Sequence, residues 1–343
     1  SPQLRAHGGT SHCLMGCGAE PSGDLPRTSD RRATRPPPLL ASEAPTILPA
    51  MSVEPSQRVV PVPFSSLPSR ARIPATMSHL VERHMLFDGP PAVASGSEFA
   101  RDQMLEPREA SNLRAWAYLS TSLEHLRSAQ ILWGDDEVRA YGVSSMWTLL
   151  RTVLLSYVRT AWLISPEDAS VRVYRSCVLH EEDIQRQREP LEDLGAEPGL
   201  LSLLDGDGAG HVASELADLD AVRVRLKARK RRLAVSDAVR QDSPMDTQKV
   251  ARVAKLIDGS KEGLIRTSVL SSWRNASGHA HGLEWARLAK VEETGRQGVV
   301  VHGRLRVDID GLSMLAQSCG LVGIMALDLF EARRTNIGSA IRP

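Results

Sequence analysis

Arg274-Asn275-Ala276-Ser277-Gly278-His279-Ala280-His281 places a guanidinium, an amide, a hydroxyl and two imidazoles within eight positions. The residues on both sides carry helical patterning. In an unbroken helix, Arg274 and His281 are two turns apart and nearly aligned, whereas His279 lies about 140° around the axis from Arg274. Ser277 falls between the aligned pair. This combination suits a phosphodiester: a forked guanidinium takes phosphoryl oxygens, and an imidazole gives or takes a proton near neutral pH. The competing reading is packing. Ala276, Gly278, Ala280 and Gly282 are small enough for a close helix crossing, with His281 as a buried polar contact.

Other cations have two readings as well. Arg151 and Arg159 are eight apart on an otherwise apolar segment and so share a face. Buried arginines are costly unless paired. Asp168, Glu181 and Glu182 are the expected partners, unless the arginines line the same pocket as His281. Arg223, Arg225, Lys227, Arg229, Lys230, Arg231 and Arg232 form a second basic group. It is either an RNA-backbone contact or a solvated helix face, and no aromatic residue interleaves it. Asp205-Gly-Asp207 begins like a calcium loop but meets Ala209 and Leu216 where ligands are needed. His180-Glu181-Glu182-Asp183 lacks the second histidine of a zinc helix. Cys13 and Cys17, beside His7 and His12, have no second ligand pair at usable spacing. No metal and no cofactor is expected.

Arg274-Asn275 followed four to six residues later by a histidine resembles the signature of HEPN-like helical proteins, and both His279 and His281 satisfy the spacing. The stretches LLRTVLLSYVRTAWLISPED, VRVYR and SGHAHGLEWA also resemble a group of uncharacterised actinobacterial all-helical proteins. The resemblance covers about residues 110 to 335. It implies RNA binding or metal-independent RNA cleavage by a homodimer, in a toxin or defence setting. The 2′-hydroxyl would attack the adjacent phosphate. Arg274 would stabilise the phosphate, Asn275 would be the polar residue after it, and His281 or His279 the acid/base. Ser277, Arg151 and Arg159 are the expected binding residues beside them. The alternative is a non-catalytic helical protein that dimerises or binds a partner through its small-residue face.

The elements that must position these groups are helices. Of 21 prolines, 13 lie in residues 1 to 76, a density that opposes helix and central strand alike. That segment reads as a disordered leader, and Met77, where it ends, reads as the native start. Residues 77–108 form an extension and 109–335 an antiparallel bundle of about six to seven helices, interrupted by a loop at 190–211. The first bundle helix has a stripe at Leu113, Trp116, Ala117, Ser120, Leu123, Leu126 and Ile131. A central helix runs from about Glu137 to Ile164. Ser165-Pro166 caps the next, which runs to about Arg188. Ser243-Pro244-Met245-Asp246 opens another, and the β-branched run Gly298 to Val307 predicts a short β-hairpin before the last helix, Asp308 to Arg334.

Tyr141 to Ile164 and Gly311 to Leu327 are the most apolar stretches. Both carry too many polar or charged residues for a span of about 20 apolar ones, so no membrane is expected. The 273–285 helix or the Gly311 to Leu327 helix is the expected dimer interface. A net charge of +1 creates no whole-chain field toward nucleic acid. Arginine outnumbers lysine 36 to 6, in line with GC-rich coding. Four scattered cysteines form no disulfide framework and suit a cytoplasmic protein.

Overall fold

In a computed structural model of the chain, the described residues are 66–335 except 88, 91, 135–142, 202–206, 242–243, 259–262, 284–290, 298–299 and 306–307. Most of the expected leader, and with it Cys13 and Cys17, lies outside them. The architecture is all-helical. Ten helices are labelled in chain order: α1 Ser69–Met85, α2 Glu98–Leu105, α3 Ser111–Gly134, α4 Val143–Ile164, α5 Ala169–Ala196, α6 Gly208–Arg232, α7 Asp237–Gln241, α8 Asp246–Ile257, α9 Leu264–Ala280 and α10 Ile309–Arg334. The expected six to seven omits α1 and α2, which were placed in the leader and extension, and the short α7.

α4 is the central element. Trp147, Leu150, Val153, Leu154, Tyr157, Val158 and Ala161 are fully enclosed, because α3, α8, α9 and α10 all pack on it. α3 turns a different face inward from the one its large residues suggest. Ala115, Leu119, Ser122, Leu126 and Ala129 are buried, while Leu113 and Ile131 are 54% and 77% exposed. Ala115, Ser122 and Ala129, seven residues apart and alternating with Leu119 and Leu126, let α3 lie close to α4, and Leu113 and Ile131 sit at its margins. α10 shows the same device. A Cβ at Gly323 would lie 2.8 Å from both Leu80 Cδ2 and Tyr157 Cε2, so the glycine admits α1 and α4 together.

The expected boundary at Met77 does not hold. α1 begins at Ser69, runs through Pro74 and buries Ile73, Thr76, Met77, Leu80 and His84. One proline near a helix start forfeits a single backbone bond, and the burial of that stripe outweighs it. α5 starts at Ala169, not at Pro166, because Asp168 supplies the cap by accepting from Ser170 N at 2.7 Å. It continues past Arg188 and through Pro190 to Ala196. The expected loop at 190–211 therefore holds the end of α5, a helical turn at Pro198–Leu201 and the start of α6. Asp207, half of the calcium-like pair, caps α6 by accepting from Gly210 N. α8 starts at Asp246, and Gln248 Oε1 accepts from Met245 N before it.

The β-hairpin expected over 298–307 is no part of the helical frame. The extended backbone starts earlier, and only its second strand falls within that stretch: Val291–Gln297 pairs antiparallel with Val300–Leu305, with a register irregularity between Glu293 and Gly295.

One buried charge cluster ties both ends of the described chain together. Arg172 is fully buried and bonds Asp102 through Nε at 2.9 Å and Nη2 at 2.7 Å. Its Nη1 reaches Glu98 Oε2 at 2.9 Å and the carbonyls of Pro166 and Glu167 at 2.8 and 2.6 Å. Arg333 binds the same Glu98 and the carbonyl of Ile164. Burial pushes the Asp102 carboxyl up, against the pull of Arg172.

Candidate functional site

The stretch that opens the sequence reading forms the last turns of α9 and its exit. The helix does not run on to 285; it ends at Ala280 with His281 as the cap. Gly282 takes φ 63°, its N–H bonds His279 O at 3.1 Å, and Leu283 N–H bonds Gly278 O at 2.9 Å. This closing pattern needs a left-handed residue, which glycine supplies without a Cβ penalty. It satisfies carbonyls that would otherwise face solvent.

The turn sends the two histidines to opposite sides. His279 is 8% exposed and stacks on Trp147 of α4, with ring centroids 4.6 Å apart and planes at 14°. His281 is exposed. It lines an open groove of about 590 Å³ together with Arg274, Ser277, Arg151, Trp273 and Asp246. Asn275, half-buried on the same helix, does not line it.

Arg151 reaches the groove from α4. Its Nε donates to Ser277 Oγ at 3.0 Å, and its guanidinium carbon lies 4.6 Å from the centroid of the Trp273 ring. Burial draws its pKa down while Asp246 holds it up; a guanidinium stays charged either way. Among the described residues its terminal nitrogens have no hydrogen-bond partner, so they remain for a ligand. Trp273 is fixed from beneath by Nε1 donating to Thr247 Oγ1 at 3.2 Å.

Arg159 is not a groove residue. It is buried and bonds both carboxylate oxygens of Asp246 at 3.1 and 3.2 Å, with Asp183 at 3.9 Å. Neither Asp168 nor Glu181 nor Glu182 is its partner, contrary to the expectation from sequence. Asp246, Trp273 and Thr247 were missed as site residues. Asp246 resembled an ordinary helix-opening acid, and only the fold shows it facing two arginines eight residues apart. Asp246 also lies 3.4 Å from Arg186 and 3.7 Å from Lys249. Three cations therefore offset its single charge where it borders the groove.

The basic group on α6 is divided: three of its seven cations pair within the molecule, and Arg223, Arg225, Lys227 and Arg231 have no ion-pair partner among the described residues. Arg229 pairs with Glu109 at 3.0 Å and Glu106 at 3.2 Å, Arg232 with Glu106 at 3.6 Å, and Lys230 with Glu181. His180 of the zinc-like stretch also binds Glu109, at 2.9 Å. Glu106 and Glu109 lie more than a hundred residues before these cations, so the sequence alone could not pair them.

On the other flank of α9, a second groove of about 870 Å³ is lined, among the described residues, by Ser128, Ile131, Ser145, Thr148, Leu149 and His279, among others, and by no described Asp, Glu, Lys or Arg. Comparison of the chain with family models, with curated proteins and with solved structures finds no match.

Proposed function

We propose that the groove at the end of α9 binds a phosphate of RNA and that Arg274 and His281 act on it together, as HEPN-like proteins do. The observation that carries this reading is the sorting at the helix end. Arg274, Ser277, His281 and Arg151 open on one groove, while His279 is withdrawn into packing. Arg151 and Arg274 supply charge-assisted donors to phosphoryl oxygens. The 2′-oxygen forms a bond to phosphorus, the bond from phosphorus to the 5′-oxygen breaks, and the proton lost by the 2′-hydroxyl is balanced by one gained at the 5′-oxygen. A single imidazole, His281, serves one of these two transfers and water the other.

The test is incubation of labelled RNA with the purified protein in chelator. The unaltered protein should cut. His281→Ala should abolish cutting, and Arg274→Lys should reduce it strongly, because an ammonium cannot reproduce the fork. Cutting that survives His281→Ala, or RNA neither cut nor bound by the unaltered protein, overturns the proposal.

The homodimer belongs to the same proposal, with α9 rather than α10 as its seat. The apolar residues of Gly311 to Leu327 are taken up within the subunit: 67% of the most apolar window of α10 is buried. Leu264, Leu283 and Met245 are left exposed along and beside α9. Sedimentation showing only monomer at high micromolar concentration would remove this part of the proposal and leave the groove standing.

A further inference from the structure

We propose that the end of α6 and the exposed side of α2 together form a docking face for an anionic lipid surface. Met104 and Leu105 enter the headgroup layer, and the guanidiniums around them meet the lipid phosphates and carboxylates. The proposal is independent of the phosphate reading of the groove.

α2 buries Phe99 and Asp102, so its opposite side faces out. That side carries Arg101 and, one turn on, Met104 and Leu105. Met104 is 76% exposed and Leu105 47%. Adjacent apolar side chains left in water cost free energy that a partner recovers by covering them. α6 is oriented in the same manner. Leu226 is buried against Cys177 and Ile184, with Leu219 and Val222 packed beside them. The other side of α6 presents Arg225, Arg231 and Arg232 together with Val224, all exposed. Glu106 joins the two elements. Its carboxylate lies 3.2 Å from Arg229 and 3.6 Å from Arg232, and Leu105 immediately precedes it. The Arg232 side chain remains 70% exposed beyond that contact. Arg108, also exposed, follows Glu106 by two residues.

The acids of these elements are engaged inward or set back. Glu98 and Asp102 bind Arg172, Glu109 binds Arg229, and Asp220 binds Arg188. Glu215 and Asp218 lie in the first half of α6, away from its basic end. Asp237, opening α7, sets one exposed negative charge against the cations. Cations in the last turn also steady the carbonyl end of α6. That role covers Arg231 and Arg232. It covers neither Arg225, nearly two turns back, nor the exposed Met104 and Leu105.

The side chains favour lipid over a nucleic-acid strand. Single-stranded RNA is held by cations interleaved with aromatic rings. α6 has no aromatic residue, and Phe99 of α2 is buried. Methionine and leucine among arginines suit the boundary of a bilayer, where apolar groups enter and guanidinium heads snorkel to the phosphates. Lying on that surface needs no spanning segment. Each cation near an anionic leaflet strengthens binding by about fivefold.

The test is co-sedimentation of the full-length protein with two kinds of vesicle, phosphatidylcholine alone and phosphatidylcholine with about one third phosphatidylserine. The protein should bind the mixed vesicles and leave the neutral ones. Arg108→Gln with Arg225→Gln and Arg231→Gln should weaken that binding by about a hundredfold, and lysine at the same three positions should restore it, because a point charge suffices. Met104→Ser with Leu105→Ser should weaken it by about tenfold with the charge unchanged. All five positions are exposed, so thermal melts should match the unaltered protein. Equal binding to both kinds of vesicle overturns the proposal, as does mixed-vesicle binding that survives either set of changes. If the three glutamines reduce binding of labelled RNA and leave vesicle binding intact, the face belongs to a nucleic-acid strand and the proposal falls.

Discussion

Two histidines two positions apart have different work because one turn of backbone separates their surroundings. His279 is enclosed against Trp147, so His279→Ala removes a stacked contact and leaves a void. It should lower stability by about 1–2 kcal/mol, the scale of a buried aromatic pair, whereas His281→Ala should change it by less than about 0.5 kcal/mol, as exposed substitutions do. Thermal melts of the two variants check this, and equal losses would show that His281 packs. A third histidine has a pH signature. His84 is buried, and its Nε2 lies 2.8 Å from Tyr157 Oη. Desolvation, helped by the charge of Arg127, lowers its pKa from 6.5 to about 4. The unfolded chain therefore binds a proton that the folded one refuses between those values. The stability from the neutral ring is complete above pH 6.5 and is lost as pH falls toward 4. By linkage the loss is about 3 kcal/mol. Denaturant unfolding across that range should show a shallower decline in His84→Gln than in the unaltered protein; parallel curves would contradict it.

At the level of elements, α1 sets a boundary that composition misplaces. A chain cut before Met77 loses Ile73 and Thr76, both buried; one cut before Pro68 keeps them. The shorter chain should be less stable by about 2–5 kcal/mol, the range for deleting one large core side chain. The longer should melt like the full chain. Equal melting of both truncations would show that the first turns of α1 contribute nothing. The same helix shows where sequence reading succeeds and where it stops. The central position of α4 was legible, because a helix apolar on most faces has no side to give to water. The end of α9 was half legible. Residue types marked Arg274, Ser277 and His281, and spacing separated His279 from them, but Gly282 was read as a packing residue rather than as the helix terminator. The inward face of α3 was not legible. Leu113 and Ile131 point to the margins, and only the closeness of α4 explains why alanine and serine lie inside beside Leu119 and Leu126. Asp246 and Glu109 were out of reach for another reason: their partners come from distant segments, and spacing carries no information on such pairs.

Over the molecule, part of the charge of the described residues is consumed internally. The α6 cations answer Glu106, Glu109 and Glu181, and Lys249 answers Glu182 at 2.7 Å while itself 1% exposed. If RNA binds as proposed, its phosphates meet two guanidiniums at the groove, Arg151 and Arg274. The logarithm of the binding constant should fall with the logarithm of salt with a slope of about −1.4, two single-strand phosphates' worth. A slope near −4, about what the groove pair and the four unpaired α6 cations would give together, would show that those cations engage the strand as well. The Glu98 cluster has a consequence of a different kind, in time. Arg333 reaches Glu98 across 235 residues of sequence, and Ala94 N bonds Arg334 O at 2.9 Å. A chain made from its N-terminus presents α1 and α2 long before α10 exists to receive them. Ile73, Leu80 and Phe99 have no shelter from the last helix during that interval. Contacts this distant slow folding relative to a bundle of local hairpins, and they leave apolar helices open to chaperones until α10 has been made. Emergence of α10 from the ribosome is therefore the event that commits these helices to their fold.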